Sequence, residues 1–310
     1  MNPLLGLILQ QAVEFLNLLS RNGLSEINRL NIQAGYKKAL SLARSHYENF
    51  PVVSLLIPKT LRNHLSVIYW FARTADDLAD EGSYSDEERF KKISVFEERL
   101  NNLLEGYCTS ELESALAETI KTKNLSPQHF YNLLKAFKQD VMKKRYSDFN
   151  DVLSYCENSA NPVGRLILEL LDLKCEKVFY YSDKICTALQ ITNFIQDASL
   201  DFKKGRIYFP LDEMQNFGVT EKMFELKENN INFNNLVEFN IVRTQQMFDE
   251  GKNLLRYLKG RIKFEIIATI KGGELILRKI REQKFDVLNI RPVLSKADYF
   301  KLPIKSVFSL

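Results

Sequence analysis

Glycine occurs only 12 times and proline only eight times in 310 residues, about half of what average usage would supply. Sandwiches, barrels and doubly wound sheets need frequent tight turns, and tight turns draw on these two residues. A chain so poor in both is restricted to long helices with few corners. The apolar spacing agrees: Leu61, Leu65, Ile68 and Ala72 recur at intervals of three and four, one face of a helix. Ser85 before Asp86, Glu87 and Glu88 reads as an N-cap with acids in the first turn. Thr109 or Ser110 opens a further helix to about Lys123, and Ser126-Pro127 is a cap followed by proline at the first helical position. A mostly apolar run extends from about Cys175 to Lys203 and stops at Gly205, after which Arg206–Pro210 reads as a short extended piece. Long helices are predicted at about Asn235–Lys259 and Lys263–Gln283. The apolar but interrupted N-terminus predicts an amphipathic helix over residues 1–25, followed by one all-α domain, a helical bundle, over 26–310.

Charge and cysteine usage narrow the chemistry. A net charge of +4, with both signs mixed along the chain, permits an anionic substrate and gives no indication of nucleic acid. Four widely spaced cysteines without a CxxC pair, and only three histidines, argue against zinc and against a disulfide framework. A reducing cytoplasm is the default compartment. Gln10, Gln11, Glu14 and Asn17 make the first segment too polar to span a bilayer.

Two constellations carry chemistry. Asp76 and Asp80, in Asp76-Asp77-Leu78-Ala79-Asp80, stack on one helix face directly after the apolar run Val67–Ala72. Like charges at that spacing repel, and carboxylates rising from an apolar helix need a counter-charge. Arg73 or a divalent cation would provide it. Asn193, Asp197 and Asp201 follow at steps of four, with Gln190 three residues before, on a helix otherwise filled by Ile191, Phe194, Ile195 and Ala198. A polar ridge there is costly unless satisfied. Oxygen ligands without His or Cys suit a hard cation such as Mg²⁺, which takes one or two carboxylates plus substrate phosphates. A solvated acidic turn and a buried polar network are the plain alternatives; two such ridges in one chain argue against both. Facing each other, they would hold Mg²⁺ and a diphosphate, which thereby becomes a good leaving group. An allylic carbon would then ionise, and the cation would need an apolar cavity with aromatic faces. Phe50, Tyr69, Phe71, Tyr155 and Phe194 stand near the acids in sequence. A buried tyrosine hydroxyl needs a partner, which singles out Tyr69 and Tyr155. Arg206 would cap a phosphate or pair with an acid, and a lone histidine such as His46 is more often structural.

In His46–Pro51, Tyr69–Asp80, Arg145-Tyr146, Tyr155-Cys156 through Asn161-Pro162-Val163-Gly164, and Leu189 through Pro210, the chain resembles the squalene/phytoene synthases over roughly residues 36–300. The resemblance implies an isoprenoid-synthase-type helical bundle with a central cavity, and Mg²⁺-dependent head-to-head chemistry on prenyl diphosphates. By position it implies that Asp76, Asp80, Asn193, Asp197 and Asp201 handle metal and diphosphate, that Arg73 and Tyr69 line the diphosphate pocket, and that His46, Phe50, Tyr155 and Gln190 face substrate.

The segments HYENFP (His46–Pro51), ARTADDLADE (Ala72–Glu81) and NPVGR (Asn161–Arg165) look most like the hydroxysqualene synthase branch. That branch ionises presqualene diphosphate and quenches the cation with water. Most family members carry Arg where this chain has Gln196 and an acid where it has Leu200, a departure compatible with one substrate rather than two. The rival is a head-to-head transferase working on two prenyl diphosphates such as farnesyl diphosphate. Head-to-tail elongation and terpene cyclisation lack their second motifs here, and a non-catalytic assembly or lipid-carrier protein would not need both acidic ridges. No GxGxxG or Walker loop supports nucleotide use. A water-insoluble product implies transient contact with the cytoplasmic membrane face and with sister enzymes of the pathway.

Overall fold

The computed structural model describes residues 28–29, 31–44, 57–295 and 298. The predicted N-terminal helix, His46 and Phe50 lie outside the described residues. All regular structure among the described residues is helical. A helix over 31–44 (α1) precedes α2 (Lys59–Asp80), α3 (Asp86–Leu104), α4 (Glu111–Thr122), α5 (Pro127–Met142), α6 (Phe149–Ser159) and α7 (Asn161–Leu170). The second half contains α8 (Glu176–Gln196), α9 (Ala198–Lys203), α10 (Leu211–Asn216), α11 (Glu221–Glu225), α12 (Ile231–Gly251), a 3₁₀ turn at Lys252–Arg256, and α13 (Gly260–Glu282).

The helix starts are written in the local sequence. Ser85 and Glu88 form a reciprocal capping box at α3, and Ser110 and Glu113 form another at α4. Pro127 opens α5, but the Ser126 side chain makes no cap; instead its N–H donates to Glu169 of α7 at 2.9 Å. The buried stripe of α2 runs Leu61, Leu65, Ile68, Phe71, Ala75 and Ala79, so Phe71 and Ala75 continue the face on which Ala72 was expected. The last two long helices are shifted from expectation, because the chain after Gly251 tightens into a 3₁₀ turn before Gly260 (φ +59°) reverses it.

One large apolar cluster is built by α1 to α5 with α7, and a second by α8 to α13. A smaller aromatic cluster of Tyr146, Tyr155, Phe194 and Tyr208 draws on α6, α8 and the segments flanking them. Helix α8 buries Val178, Ile185, Ala188, Ile191, Phe194 and Ile195, too many directions for a single stripe, and it packs against α6, α7, α12 and α13. Its contact with α7 is close: a Cβ on Gly164 would stand 2.4 Å from Ser182 Oγ and 2.5 Å from Cys186 Sγ. That approach fixes the axis of the helix leading to the second acidic ridge.

Candidate active site

The first acidic wall is the last two turns of α2. Asp76 and Asp80 lie one turn apart, and Arg73 reaches Asp76 at 3.3 Å and Asp77 at 2.8 Å, the counter-charge foreseen from the sequence. Arg89 of α3 locks the end of this helix. Its guanidinium donates to the carbonyls of Ala79 (2.7 Å), Glu81 (3.0 Å) and Gly82 (2.7 Å), which an unpaired helix C-terminus leaves without partners.

The second wall is not one continuous helix. Helix α8 ends at Gln196 and α9 begins at Ala198, with Asp197 at the joint (φ −102°, ψ 13°). The step of four survives because the Asp197 N–H still donates to the Asn193 carbonyl and that of Asp201 to the Asp197 carbonyl, both at 2.8 Å. Asn193 is exposed rather than buried, and its Nδ2 donates to Asp197 Oδ2 at 2.9 Å. Helix α9 ends in a glycine C-cap: Gly205 (φ +78°) and Arg206 return their N–H groups to Phe202 and Asp201, each at 2.9 Å. This turn swings Arg206 back towards α2.

There the two walls join. Arg206 Nη2 donates to Asp80 Oδ1 at 2.7 Å, and Lys204 Nζ to Asp80 Oδ2 at 2.6 Å. Of the two readings the sequence allowed for Arg206, the structure gives the acid pair, and the residue is buried. Burial works against the Asp80 charge, but these two cations prevail and hold its carboxyl below the usual range. Asp76 and Asp201 are treated differently. Burial and a neighbouring carboxylate, Asp80 for the one and Asp197 for the other, raise them to about 6 and about 7. On the outer side Arg291 pairs with Asp197, its Nη2 at 3.1 Å, and Gln196 Nε2 donates to the Pro292 carbonyl at 2.6 Å. The C-terminal segment is thereby tied across the second wall.

These pairings bear on magnesium. With Asp80 on Lys204 and Arg206, and Asp197 on Arg291, no three acidic, His or Cys side chains stand together as a finished metal cage among the described residues. The donor set nevertheless suits the ion. It consists of oxygens, and at Asp76 and Asp201 burial, and then a neighbouring carboxylate, disfavour the charged form, a cost that a bound cation would offset.

Behind the walls lies a centre that the motifs did not identify. Asp140, near the end of α5, is 7% exposed. Tyr155 donates its hydroxyl to Asp140 Oδ2 at 2.6 Å, and Tyr208 donates to Oδ1 at 2.9 Å. Tyr155 was expected to face substrate; here its hydroxyl is turned into this buried acid. Lys144 Nζ (3.1 Å) and Arg206 Nε (3.3 Å) donate to the Asp140 carbonyl, so one guanidinium touches both Asp80 and the Asp140 backbone. Tyr208 is held in place by backbone pairing on either side of it, Ile207 N–H to Lys144 O at 3.0 Å and Leu211 N–H to Tyr146 O at 2.9 Å. It stacks on Phe194 with ring centroids 3.8 Å apart. A small hollow lined by Phe149, Val152, Ile191, Phe194 and Tyr208 adjoins the stack. Lys143 pairs with Asp151, Lys144 donates to the Asp140 carbonyl, and Arg145 holds Glu221 together with the Gly205 carbonyl. Tyr69 is half-buried against the first core cluster and Gln190 is half-buried on α8. The signal for Asp140 was present, as an acid on the face of α5 that buries Phe130, Leu133, Leu134 and Ala136.

The helical architecture of the described residues is the isoprenoid-synthase fold that it shares with solved squalene and dehydrosqualene synthases. Residues 43–298 match the squalene/phytoene synthase family, and the chain belongs to it. The chain is 30% identical to a hydroxysqualene synthase of Rhodopseudomonas palustris over 79% of this chain and 84% of that one. It is 26% identical to the chloroplastic phytoene synthase of Daucus carota over 89% of this chain and 70% of that one. Among solved structures, the squalene synthase HpnC of Alicyclobacillus acidocaldarius superposes with a TM-score of 0.78 at 35% identity, covering 83% of this chain and 96% of that one. A dehydrosqualene synthase in complex with ligand shares the fold, with a TM-score of 0.80 at 20% identity over 91% of this chain and 98% of that one. The family processes prenyl diphosphates enzymatically. No helix among the described residues is long and apolar enough to cross a membrane.

Proposed function

We propose that this protein is a Mg²⁺-dependent hydroxysqualene synthase: it ionises presqualene diphosphate, lets the cyclopropane open, and quenches the rearranged cation with water, releasing diphosphate. The observation that carries the reading is the similarity to hydroxysqualene synthases along most of their length. Gln196, occupied in tying down Pro292, supports it, because a second diphosphate would gain no cation at that position.

In this reading Asp76, Asp80, Asn193, Asp197 and Asp201 hold the metal. Bound there, Mg²⁺ supplies neutralisation of the charge that develops on the leaving diphosphate. Arg206, Lys204 and Arg291 now rest on Asp80 and Asp197. Were those carboxylates to hold a metal, the same three cations would be placed to donate to phosphate oxygens. Arg73 stays with Asp76 and Asp77 and keeps the first wall from splaying. The packed rings of Phe194, Tyr155 and Tyr208 exclude bulk water from the apolar side of the site. His46, Phe50, Tyr69 and Gln190 are proposed as contacts for the prenyl chains and the diphosphate pocket.

The test is to supply purified presqualene diphosphate with Mg²⁺ and without NADPH and identify the product by mass spectrometry. Hydroxysqualene is expected. Squalene formed only with NADPH, or product formed only from two prenyl diphosphates, would support head-to-head transfer instead, the reading that the extent of the phytoene synthase match favours. A cytoplasmic enzyme meeting the membrane face transiently, next to its pathway partners, fits a product of this kind.

A further inference from the structure

Asp140 is a buried acid in contact with two phenols, and the direction of the hydrogen bonds limits what those phenols can do. A phenol has one proton. Tyr155 and Tyr208 both place theirs on Asp140, one on each carboxylate oxygen, at 2.6 and 2.9 Å. Burial, and then the charge of Asp140, keep both hydroxyls protonated far above neutrality. Neither can donate to anything else. Towards a third group both oxygens are acceptors only, which suits a water molecule or a cation and repels phosphate oxygen. A free tyrosine would offer either role.

Resting on the hydroxysqualene reading, we propose that Asp140 is a positioning residue for water capture: it accepts the hydrogen bond of the Tyr155 hydroxyl, so that the Tyr155 oxygen is left as an acceptor that holds the quenching water. The water oxygen bonds to the cationic carbon. As it does so, one of its protons passes to the Tyr155 oxygen, and the proton already on Tyr155 moves to Asp140. A neutral alcohol remains, and the positive charge has become a proton on Asp140, returned to solvent when product leaves. Burial raises the Asp140 carboxyl above the ordinary range while Tyr155, Arg206 and Tyr208 pull it down, so it is a better base than an exposed aspartate yet still holds both phenol protons. Tyr208 keeps the second carboxylate oxygen occupied, and Lys144 and Arg206 pin the backbone on which Asp140 sits.

Asp140→Asn tests this with nearly unchanged shape. An amide accepts from one phenol and must donate to the other, so one phenol proton is turned away. With presqualene diphosphate and Mg²⁺, diphosphate release and products are followed together. The ratio of alcohol to hydrocarbon formed by proton loss is expected to fall about 100-fold, the size of a lost general-base contribution, while diphosphate is still released. Tyr155→Phe, which removes the oxygen and leaves Asp140 with Tyr208, is expected to shift the ratio the same way and keeps the test open if the first variant folds poorly. A merely structural role lowers diphosphate release and alcohol together and leaves their ratio unmoved; that result in both variants overturns the inference. Wild-type protein that makes no alcohol at all would fail the parent reading, a separate and recognisable outcome.

Discussion

Arg206 and Asp80 are 126 residues apart in the chain and meet at 2.7 Å, both largely out of solvent. This contact sets the two acidic walls against each other, and the Arg206 side chain continues to the Asp140 carbonyl. Lys204 reaches the same carboxylate but is 54% exposed at its side chain, against 11% for Arg206.

The two cations are therefore unequal in stability. Arg206→Ala leaves the mostly buried Asp80 with only the exposed Lys204 as counter-charge and is expected to cost about 2–3 kcal/mol. Lys204→Ala loses a solvent-screened contact and costs below about 1 kcal/mol. Urea unfolding of the two variants checks this, and equal losses would contradict the assigned roles.

A second prediction concerns pH. Asp76 and Asp201, raised to about 6 and about 7, bind more protons folded than unfolded, where aspartate titrates near 3.9. Their contribution to the stability of the metal-free protein is present at low pH and is lost as pH rises through those values. Asp80, held low, works the other way, and its contribution is lost as pH falls below the ordinary aspartate range. A cation binding among Asp76 and Asp201 must displace their protons, so apparent Mg²⁺ affinity is expected to rise between pH 5.5 and about 7 and then level off. Calorimetry in buffers of different ionisation enthalpy would show proton release at pH 6 and almost none at pH 8.

Arg89 supports the first wall without belonging to it. Its three carbonyl contacts cap α2 immediately beyond Asp80. Arg89→Ala is expected to cost about 1–2 kcal/mol and to speed hydrogen exchange at residues 79–82, with Arg89→Lys intermediate because an ammonium reaches fewer of the three carbonyls.

The parts of this architecture that depend on neighbours in sequence were legible there. The cap at Ser85, the helix start at Thr109 or Ser110, the Arg73–Asp76 pair and the glycine stop at Gly205 are local chemistry, fixed within a turn or two. The break at Asp197 was not legible, because an interrupted helix keeps the same residue spacing when its backbone bonds are retained. Nor were Lys204 and Arg291: their partners lie 124 and 94 residues away, and only packing of α8 and α9 against the rest brings them together. Asp140 falls between these cases, since its place on the buried face of α5 follows from periodicity while its two phenol donors come from elsewhere in the chain.

In the proposed function the opposed acids hold metal and diphosphate as a unit, and titration of inorganic diphosphate into the protein with and without Mg²⁺ is the sharpest test of that. Binding is expected to require Mg²⁺ and to weaken about 100-fold in Asp76→Asn and in Asp197→Asn, the equivalent of roughly 3 kcal/mol, with helix content unchanged. Diphosphate bound equally well without metal, or undiminished in both variants, would contradict it.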